Sequence, residues 1–307
     1  MKLVRFSTNG QTPRLGVLQG DRIGDLQASV AASLTRRGVT RAAEIAAALV
    51  PSSTRAFLEV GPLVEETVAG IKEWVTVPAS SARLHAPITD PGKFICIGLN
   101  YRDHAEEANQ PIPKEPPIFA KWSNAILDPN EPILRPRGSS QLDWEVELGV
   151  VVGRTARYVD EKDGLKHVAG YCVINDVSER EFQMKRSGTQ WSKGKGCDTF
   201  GPLGPWLLTA DEVKDPQNLD MWLNVNGERR QTGNTRTMIF GIAKLIADVS
   251  SYLTLQPGDV ITTGTPPGVG LGMKPTPVFL KVGDVVELGI DGLGQQRQTV
   301  VALKERR

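Results

Sequence analysis

The sequence predicts a β-rich α+β protein, with a mixed or antiparallel β-sandwich or barrel preceded by a small N-terminal α+β unit. The 31 glycines and 21 prolines among 307 residues are typical of a chain with many turns. From Phe94 onward, short apolar segments recur, and Asn226-Gly227 between two of them is a strong hairpin signal. One clear helical pattern interrupts them at residues 237–253. Strands joined by hairpins argue against a doubly wound parallel sheet.

The first part of the chain is predicted to form a separate unit. We expect a small α+β domain over residues 1–78 and the main domain over 79–307. A stretch rich in proline and serine, residues 76–93, contains this boundary and is the predicted linker. The predicted elements of the N-terminal unit are strands at 3–7, 14–19 and 21–26 and helical patterns at 40–50 and 53–75.

Charge, hydropathy and cysteine content exclude several classes of protein. Lys and Arg number 36 against 35 Asp and Glu, so no nucleic-acid or membrane-surface partner is expected. No uncharged apolar stretch reaches the roughly 18 residues of a membrane span, and the first residues lack the apolar core of a secretory signal. The three cysteines are far apart and odd in number, which predicts free thiols in a reducing cytoplasm.

Residues 143–154, DWEVELGVVVGR, carry two acids at the start of an apolar strand. Strand side chains alternate, so Glu145 and Glu147 share a face. The simpler interpretation is a strand with its polar face in water. If instead the acids are buried together, they need a cation. Asp176, which also fits a turn or a helix cap, would make a third carboxylate, and three carboxylates without histidine favour Mg²⁺ or Mn²⁺ over Zn²⁺.

Three other segments carry candidate chemistry. His104 and Glu107 lie three residues apart, which suits a carboxylate-oriented general base but equally an ordinary surface helix pair. Lys195 lies between two glycines and fits either a ligand-facing cation or an exposed turn lysine. The glycine-rich stretch 262–272 lacks the lysine of a P-loop, yet its amides and Thr265 could hold a carboxylate.

These segments, in this order, resemble the fumarylacetoacetate hydrolase family, and the resemblance runs from about Leu84 to the end of the chain. The motifs that carry it are GLNYRDHAEE, DWEVELGVVVGR, NDVSEREFQ, KGCDTFGPLGP and TTGTPPGVG. The resemblance implies the family's mixed β-sandwich roll, one divalent metal ion per active site and a homodimer. The implied site residues are Glu145, Glu147 and Asp176 as metal ligands; His104, Glu107 and Lys195 as catalytic residues; and Arg180, Gln183 and Thr265 as substrate-binding residues.

The expected activity is hydrolysis of the C3–C4 bond of a small 2,4-dioxo acid, with release of pyruvate. Such substrates include acylpyruvates, fumarylpyruvate and diketo-deoxy sugar acids. In this scheme the His104–Glu107 pair activates water, Lys195 stabilises the oxyanion and Mg²⁺ or Mn²⁺ holds the enolate charge.

Two alternatives stay open at this stage. The same site also suits an oxaloacetate decarboxylase or a 2-oxo-enoic diacid isomerase or hydratase. A non-catalytic binding protein stabilised by Ca²⁺ would instead close the coordination shell with protein oxygens. The residues that are candidates for the far end of a substrate are Lys121, Trp122, Arg186, Gln190 and Trp191.

Overall fold

The computed structural model describes residues 1–188 and 190–303, apart from the side chain of Glu65, and is mainly built of strands. Its strands are β1 (Lys2–Thr8), β2 (Arg14–Gln19), β3 (Arg22–Asp25), β4 (Thr76–Pro78), β5 (Ala82–His85), β6 (Phe94–Ile97), β7 (Ile118–Lys121), β8 (Ile126–Leu127), β9 (Ile133–Arg135), β10 (Leu142–Asp143), β11 (Val146–Val152), β12 (Val168–Asn175), β13 (Ser178–Glu179), β14 (Gly201–Thr209), β15 (Asp220–Val225), β16 (Glu228–Asn234), β17 (Val260–Thr262), β18 (Val285–Ile290) and β19 (Gly294–Ala302). Its α-helices are α1 (Leu26–Arg36), α2 (Ala42–Leu49), α3 (Thr54–Glu59), α4 (Pro62–Ala69), α5 (Arg102–Glu107), α6 (Arg180–Met184), α7 (Ser192–Lys195) and α8 (Ile242–Tyr252).

Two sheets of mixed strand direction confirm the predicted fold class. The larger has the order β4-β3-β2-β1-β14-β12-β11-β17-β6-β7, with β5 beside β1 and β8 beside β14. The smaller has the order β16-β15-β18-β19-β9, and β10 and β13 form a separate antiparallel pair. Most neighbours are antiparallel, whereas β17–β6, β14–β8 and β19–β9 are parallel. The turn at Asn226-Gly227 joins β15 to β16, and both residues have positive φ (53° and 79°), which confirms the predicted hairpin.

The main core lies between the two sheets. One face of β11 and its neighbour β12 packs against β15 and β18, and the apolar face of α8 covers the same core. The buried side chains that meet there include Val146, Leu148, Val150, Val173, Leu223, Leu288, Ile246 and Val249. The opposite face of the larger sheet packs under helices α1–α4. Strand β11 is therefore covered on both faces, which is why it is apolar at nearly every position.

The N-terminal strands continue the larger sheet. The three strands predicted there are present, and β1 pairs with β14 through Leu3 and Leu207. The segment predicted as a linker contains β4, which pairs with β3, and β5, which pairs with β1. The division into domains after residue 78 stays a prediction, and its boundary falls at the end of β4.

The helices of the N-terminal unit differ from the sequence prediction in two places. The predicted helical pattern 53–75 is two helices, α3 and α4, because Gly61 takes a φ of 72° and Pro62 cannot continue the preceding hydrogen bonding. Helix α1 was missed, although Asp25 caps its first turn by accepting from the Ala28 amide. No helix in the described part of the chain has the length and apolar character that a membrane crossing requires.

Candidate active site

Strand pairing brings the three predicted metal-binding acids together. Glu145 precedes β11, Glu147 lies within it, and Asp176 follows β12. The antiparallel register sets the start of β11 against the end of β12, and the Asp176 amide donates to the Glu145 carbonyl at 2.9 Å. Ligand oxygens of the three carboxylates lie within 4.8 Å of one another, and the residues are only 6%, 1% and 0% exposed. The two glutamates are thus buried in a common cluster rather than lying on a solvated strand face.

Cationic side chains pair with two of the three acids. Lys195 Nζ lies 2.7 Å from Glu145 and 2.8 Å from Asp176. Arg180 Nη2 donates to Glu145 at 2.6 Å, and Lys121 Nζ lies 2.6 Å from Asp176. Burial opposes ionisation of Glu145, but Lys195 and Arg180 outweigh it and hold the pKa of Glu145 well below its usual value.

Glu147 is the acid without a cationic side chain at ion-pair distance in the described part of the chain. It accepts one hydrogen bond at 3.0 Å from the Gly264 amide. Burial, together with the charges of Asp176 and Glu145, raises the pKa of Glu147 well above its ordinary value. A divalent cation among the three carboxylates would balance this charge, and an all-oxygen donor set is the one that Mg²⁺ and Mn²⁺ prefer. The residues present therefore fit a hard divalent ion.

The predicted His104–Glu107 pair lies on α5, beside the same cavity as the three acids. His104 Nδ1 lies 3.1 Å from Glu107 Oε2. An ionised carboxylate only accepts, so Nδ1 carries the proton, and Nε2 of the neutral ring is left with a lone pair. Nε2 has no hydrogen-bond partner in the described part of the chain. This is the arrangement that a general base requires.

The glycine-rich loop after β17 binds carboxylates through its amides, and the carboxylates are the protein's own. The Gly264 amide donates to Glu147, the Gly268 amide to Glu107 at 3.0 Å, and the Gly270 amide to Asp143 at 2.7 Å. Gly268 has a φ of 102°, and a Cβ there would lie 1.9 Å from a backbone oxygen, so this position requires glycine. The loop is therefore a scaffold that holds three acidic side chains from two other parts of the chain.

A cavity of about 340 Å³ opens above the three acids. Its wall includes Phe119 and Trp191, whose ring centroids are 5.5 Å apart, and the Lys195 ammonium lies 5.3 Å from the centre of the Phe119 ring. Toward solvent the lining continues with Met184 and Leu271, which are 59% and 42% exposed. The cavity therefore has a charged floor, an aromatic wall next to Lys195 and a partly apolar mouth.

The three predicted substrate-binding residues all line this cavity, but their polar groups are already partly used. Arg180 donates to Asp143, Glu145 and Gln183. The Thr265 hydroxyl donates to the Val146 carbonyl at 2.9 Å and accepts from a glutamine amide at 2.8 Å. The prediction that Thr265 binds a substrate carboxylate therefore requires its hydroxyl to leave Val146.

Sequence reasoning missed the positions of two site residues. Lys121 was a candidate for the far end of a substrate, yet it is buried below the acids, where it donates to the backbone carbonyls of Val177, Lys195 and Phe200. Asp143 opens the motif that revealed the two glutamates and binds both Arg180 and the glycine-rich loop. The signal for Lys121 was its position at the end of an apolar strand, which also fits a surface lysine.

The other candidates for the far end are placed as follows: Trp191 lines the cavity, whereas Trp122 is 55% exposed, Arg186 pairs with Glu181, and Gln190 accepts from the Ser192 amide. Only the first of these four is among the residues that line the cavity in the described part of the chain.

The fold and this cavity define an enzyme class in which a mixed β-sandwich presents buried acids to a pocket. A model of the fumarylacetoacetate hydrolase C-terminal domain matches residues 93–301, and a model named Rv2993c-like, N-terminal, matches residues 1–48. The chain belongs to the fumarylacetoacetate hydrolase family. The match over residues 93–301 confirms the resemblance that the five sequence motifs indicated.

This chain is similar to curated relatives and to solved structures over almost its whole length. A protein of Burkholderia ambifaria, named as a hydrolase without a stated substrate, is 53% identical over 304 residues, which are 97% of this chain and 98% of that one. The maleylpyruvate hydrolase of Sphingobium sp. SYK-6, solved with manganese(II) and pyruvate, is 32% identical with a TM-score of 0.73. The 5-carboxymethyl-2-hydroxymuconate delta-isomerase of Mycobacterium smegmatis is 30% identical with a TM-score of 0.75. Both structures are matched over 99% of this chain and 100% of theirs.

Proposed function

We propose that this protein is a divalent-metal-dependent hydrolase that cleaves the C3–C4 bond of a 2,4-dioxo acid of the acylpyruvate class. The observation that carries the proposal is the position of His104. Its Nε2 has no protein partner in the described part of the chain, and its ring lines the same cavity as Glu145, Glu147 and Asp176. Hydrolysis needs a base for water in this position, whereas loss of carbon dioxide does not.

The reaction converts R–CO–CH₂–CO–COO⁻ and water into R–COO⁻, pyruvate and one proton. His104 Nε2 takes a proton from water, and the water oxygen bonds to C4. Glu107 keeps the proton on Nδ1 and stabilises the imidazolium that forms. The gain expected from such a base is about 10²–10⁴-fold.

Lys195 stabilises the oxygen that becomes negative at C4. Its ammonium group has three hydrogens, and two are directed at Glu145 and Asp176. The third is available to the C4 oxyanion. When C3–C4 breaks, the bonding electrons go to C3, and the resulting enolate is protonated there from the imidazolium of His104.

Glu145, Glu147 and Asp176 would hold a divalent cation, which would supply Lewis acidity to the 2-oxo acid end of the substrate. The manganese(II) and pyruvate in the Sphingobium structure support this part of the proposal. Both Mg²⁺ and Mn²⁺ suit the donor set. The homodimer and the cytoplasmic location expected from the sequence stay predictions.

A second candidate is isomerisation of a 2-oxo-enoic diacid, favoured by the similarity to the Mycobacterium smegmatis isomerase. His104 would then move a proton between two carbon atoms, and no water would be consumed. Oxaloacetate decarboxylation is the third reaction to be tested.

The deciding experiment is a substrate screen with the purified protein in Mg²⁺ or Mn²⁺. Acylpyruvates, fumarylpyruvate, maleylpyruvate, diketo-deoxy sugar acids and oxaloacetate are followed by pyruvate release, and a dienoic diacid by its ultraviolet absorbance. We expect pyruvate together with one equivalent of the carboxylic acid R–COO⁻, and loss of activity with EDTA. Pyruvate from oxaloacetate alone, or activity that ignores the chelator, would contradict the proposal.

A further inference from the structure

Most cationic groups around the cavity are committed to the protein's own carboxylates. Arg180 is shared between Asp143 and Glu145, and Lys195 between Glu145 and Asp176. The loop amides of Gly264 and Gly268 are likewise used on Glu147 and Glu107. None of these groups is free to bind a second anionic group at the far end of a substrate.

Lys274 differs from these groups because it is not paired with a carboxylate of the described part of the chain. It lines the cavity, its side chain is exposed, and no carboxylate lies within ion-pair distance of it in the described part of the chain. It follows directly on the loop that holds Glu107, and Gly272 is so close to Glu107 that a Cβ there would lie 2.9 Å from the carboxylate carbon. The loop therefore holds Glu107, the carboxylate paired with His104, and continues directly into this lysine.

We propose that Lys274 binds a second carboxylate at the far end of the substrate, so that the preferred substrates are diacids. The proposal rests on the proposed function for the position of the 2-oxo acid end over the buried acids. From the floor outward, the wall is aromatic at Phe119 and Trp191 and then apolar at Met184 and Leu271 toward the mouth. The charged floor, the apolar wall and the lysine follow one another along the cavity. They fit a molecule with a polar 2-oxo acid head, a hydrocarbon or unsaturated middle and an anionic end.

The contribution of an exposed ion pair is limited by water and salt. A pair at the cavity mouth, with one partner held by the rest of the ligand, is worth about tenfold in affinity, and the gain shrinks as the ionic strength rises. A hydrophobic mouth without such a pair would bind the monoacid at least as well as the diacid, because the terminal carboxylate would lose hydration without gaining a partner.

The test uses two ligands that differ only in the terminal carboxylate and carry no cleavable C3–C4 dioxo unit: 2-oxoheptanedioate and 2-oxoheptanoate. Their binding to the Mn²⁺-loaded protein is measured by calorimetry at low and high salt. We expect the wild type to bind the diacid about tenfold more tightly, and Lys274→Met to abolish this preference while leaving the monoacid affinity unchanged. Lys274→Arg should retain the preference.

Lys281→Met is the matched control, because Lys281 is an exposed lysine nearby in sequence that does not line the cavity. It should leave both affinities unchanged. Equal affinity of the wild type for the two ligands, or a diacid preference that survives Lys274→Met, would overturn the proposal, as would failure of both ligands to bind. A Lys274-dependent preference without hydrolysis of any acylpyruvate would support the subsite and reject the proposed function instead.

Discussion

Two histidine–carboxylate pairs in this molecule have the same exposure but different surroundings. His85 Nδ1 lies 2.8 Å from Asp128, and His104 Nδ1 lies 3.1 Å from Glu107. The side chains are 13% and 21% exposed in the first pair and 13% and 22% in the second. Burial therefore does not distinguish them.

The surroundings of the second ring nitrogen, Nε2, distinguish the two pairs. His85 Nε2 lies 2.8 Å from the Ser7 hydroxyl, so both nitrogens are occupied, and the three side chains connect β1 and β5 with the segment before β9. His104 Nε2 is free of protein partners in the described residues and borders the cavity above the acid cluster. The comparison predicts that such a pair acts as a base only where one nitrogen faces substrate, and that the ordered Ser7–His85–Asp128 chain has a structural role.

The largest effect is expected from removing the charge of Glu147, which lines the same cavity as His104. Glu147→Gln keeps the shape of the side chain but not its charge, so the divalent cation should no longer bind and turnover should fall by more than about 10⁴-fold, since Lewis acidity and substrate orientation are lost together. Pyruvate release and Mn²⁺ titration measure the two losses.

The same variant tests the charge balance without metal. Because the folded-state pKa of Glu147 is raised, the folded protein holds that proton more tightly than the unfolded chain does. In EDTA, this group's contribution to stability is greatest below the ordinary carboxyl pKa and falls as pH rises toward the raised value. Glu147→Gln should therefore gain thermal stability over the wild type as pH increases. A constant difference between the two proteins across pH would contradict this assignment.

The second largest effect is expected from replacing His104, and the same change at His85 is its counterpart. His104→Ala should reduce turnover by about 10²–10⁴-fold while Mn²⁺ affinity stays within about threefold, because the histidine moves protons and is not a ligand. His85→Ala is the matched control and should leave turnover within about threefold of the wild type. Equal activity losses in both variants would remove the distinction between the two pairs.

A smaller effect is expected at the carboxylates. Glu107→Gln should cost about 10–100-fold in turnover, because the ring loses the charge that orients it and stabilises its protonated form. Asp128→Asn, the corresponding change in the other pair, should alter turnover little. Steady-state kinetics of the two variants, assayed side by side, decide the point. A larger loss in Asp128→Asn than in Glu107→Gln would mean that the His85–Asp128 pair, and not the His104–Glu107 pair, takes part in catalysis.

The smallest effect on catalysis should accompany a measurable effect on stability. His85→Ala leaves the Ser7 hydroxyl and the Asp128 carboxylate without their shared partner, at an expected cost of about 1–3 kcal/mol in the free energy of unfolding. Urea denaturation of the wild type and the variant measures it. Unchanged stability would mean that the hydrogen-bonded chain contributes nothing to folding.

Sequence patterns predicted what depends on neighbours in the chain. The alternation of residues 145–152 placed Glu145 and Glu147 on one face, and Asn226-Gly227 identified its hairpin, because both signals are local. Gly61-Pro62 is also a local signal for a helix break. The helical spacing of apolar residues continues on both sides of it, and the prediction followed that spacing. Helix α1 was missed because its alanines and serines give a weak periodic pattern.

What could not be predicted depends on contacts between distant parts of the chain. Lys121 reaches Asp176 across 55 positions, and the Gly268 amide meets Glu107 across 161. No periodicity encodes such pairs. The resemblance to a family supplied the roles of the acids, but not the information that the loop amides serve the protein itself.

The loop after β17 also bears on how relatives of this chain diverge. It holds Glu147, Glu107 and Asp143 through the peptide N–H groups of three glycines, while Leu271 and Lys274 line the cavity with exposed side chains. Mutations there can change which molecules enter without disturbing the groups that react. A lineage could thus acquire new substrates by exchanging a few side chains on an unchanged backbone, and it would keep its chemistry while doing so.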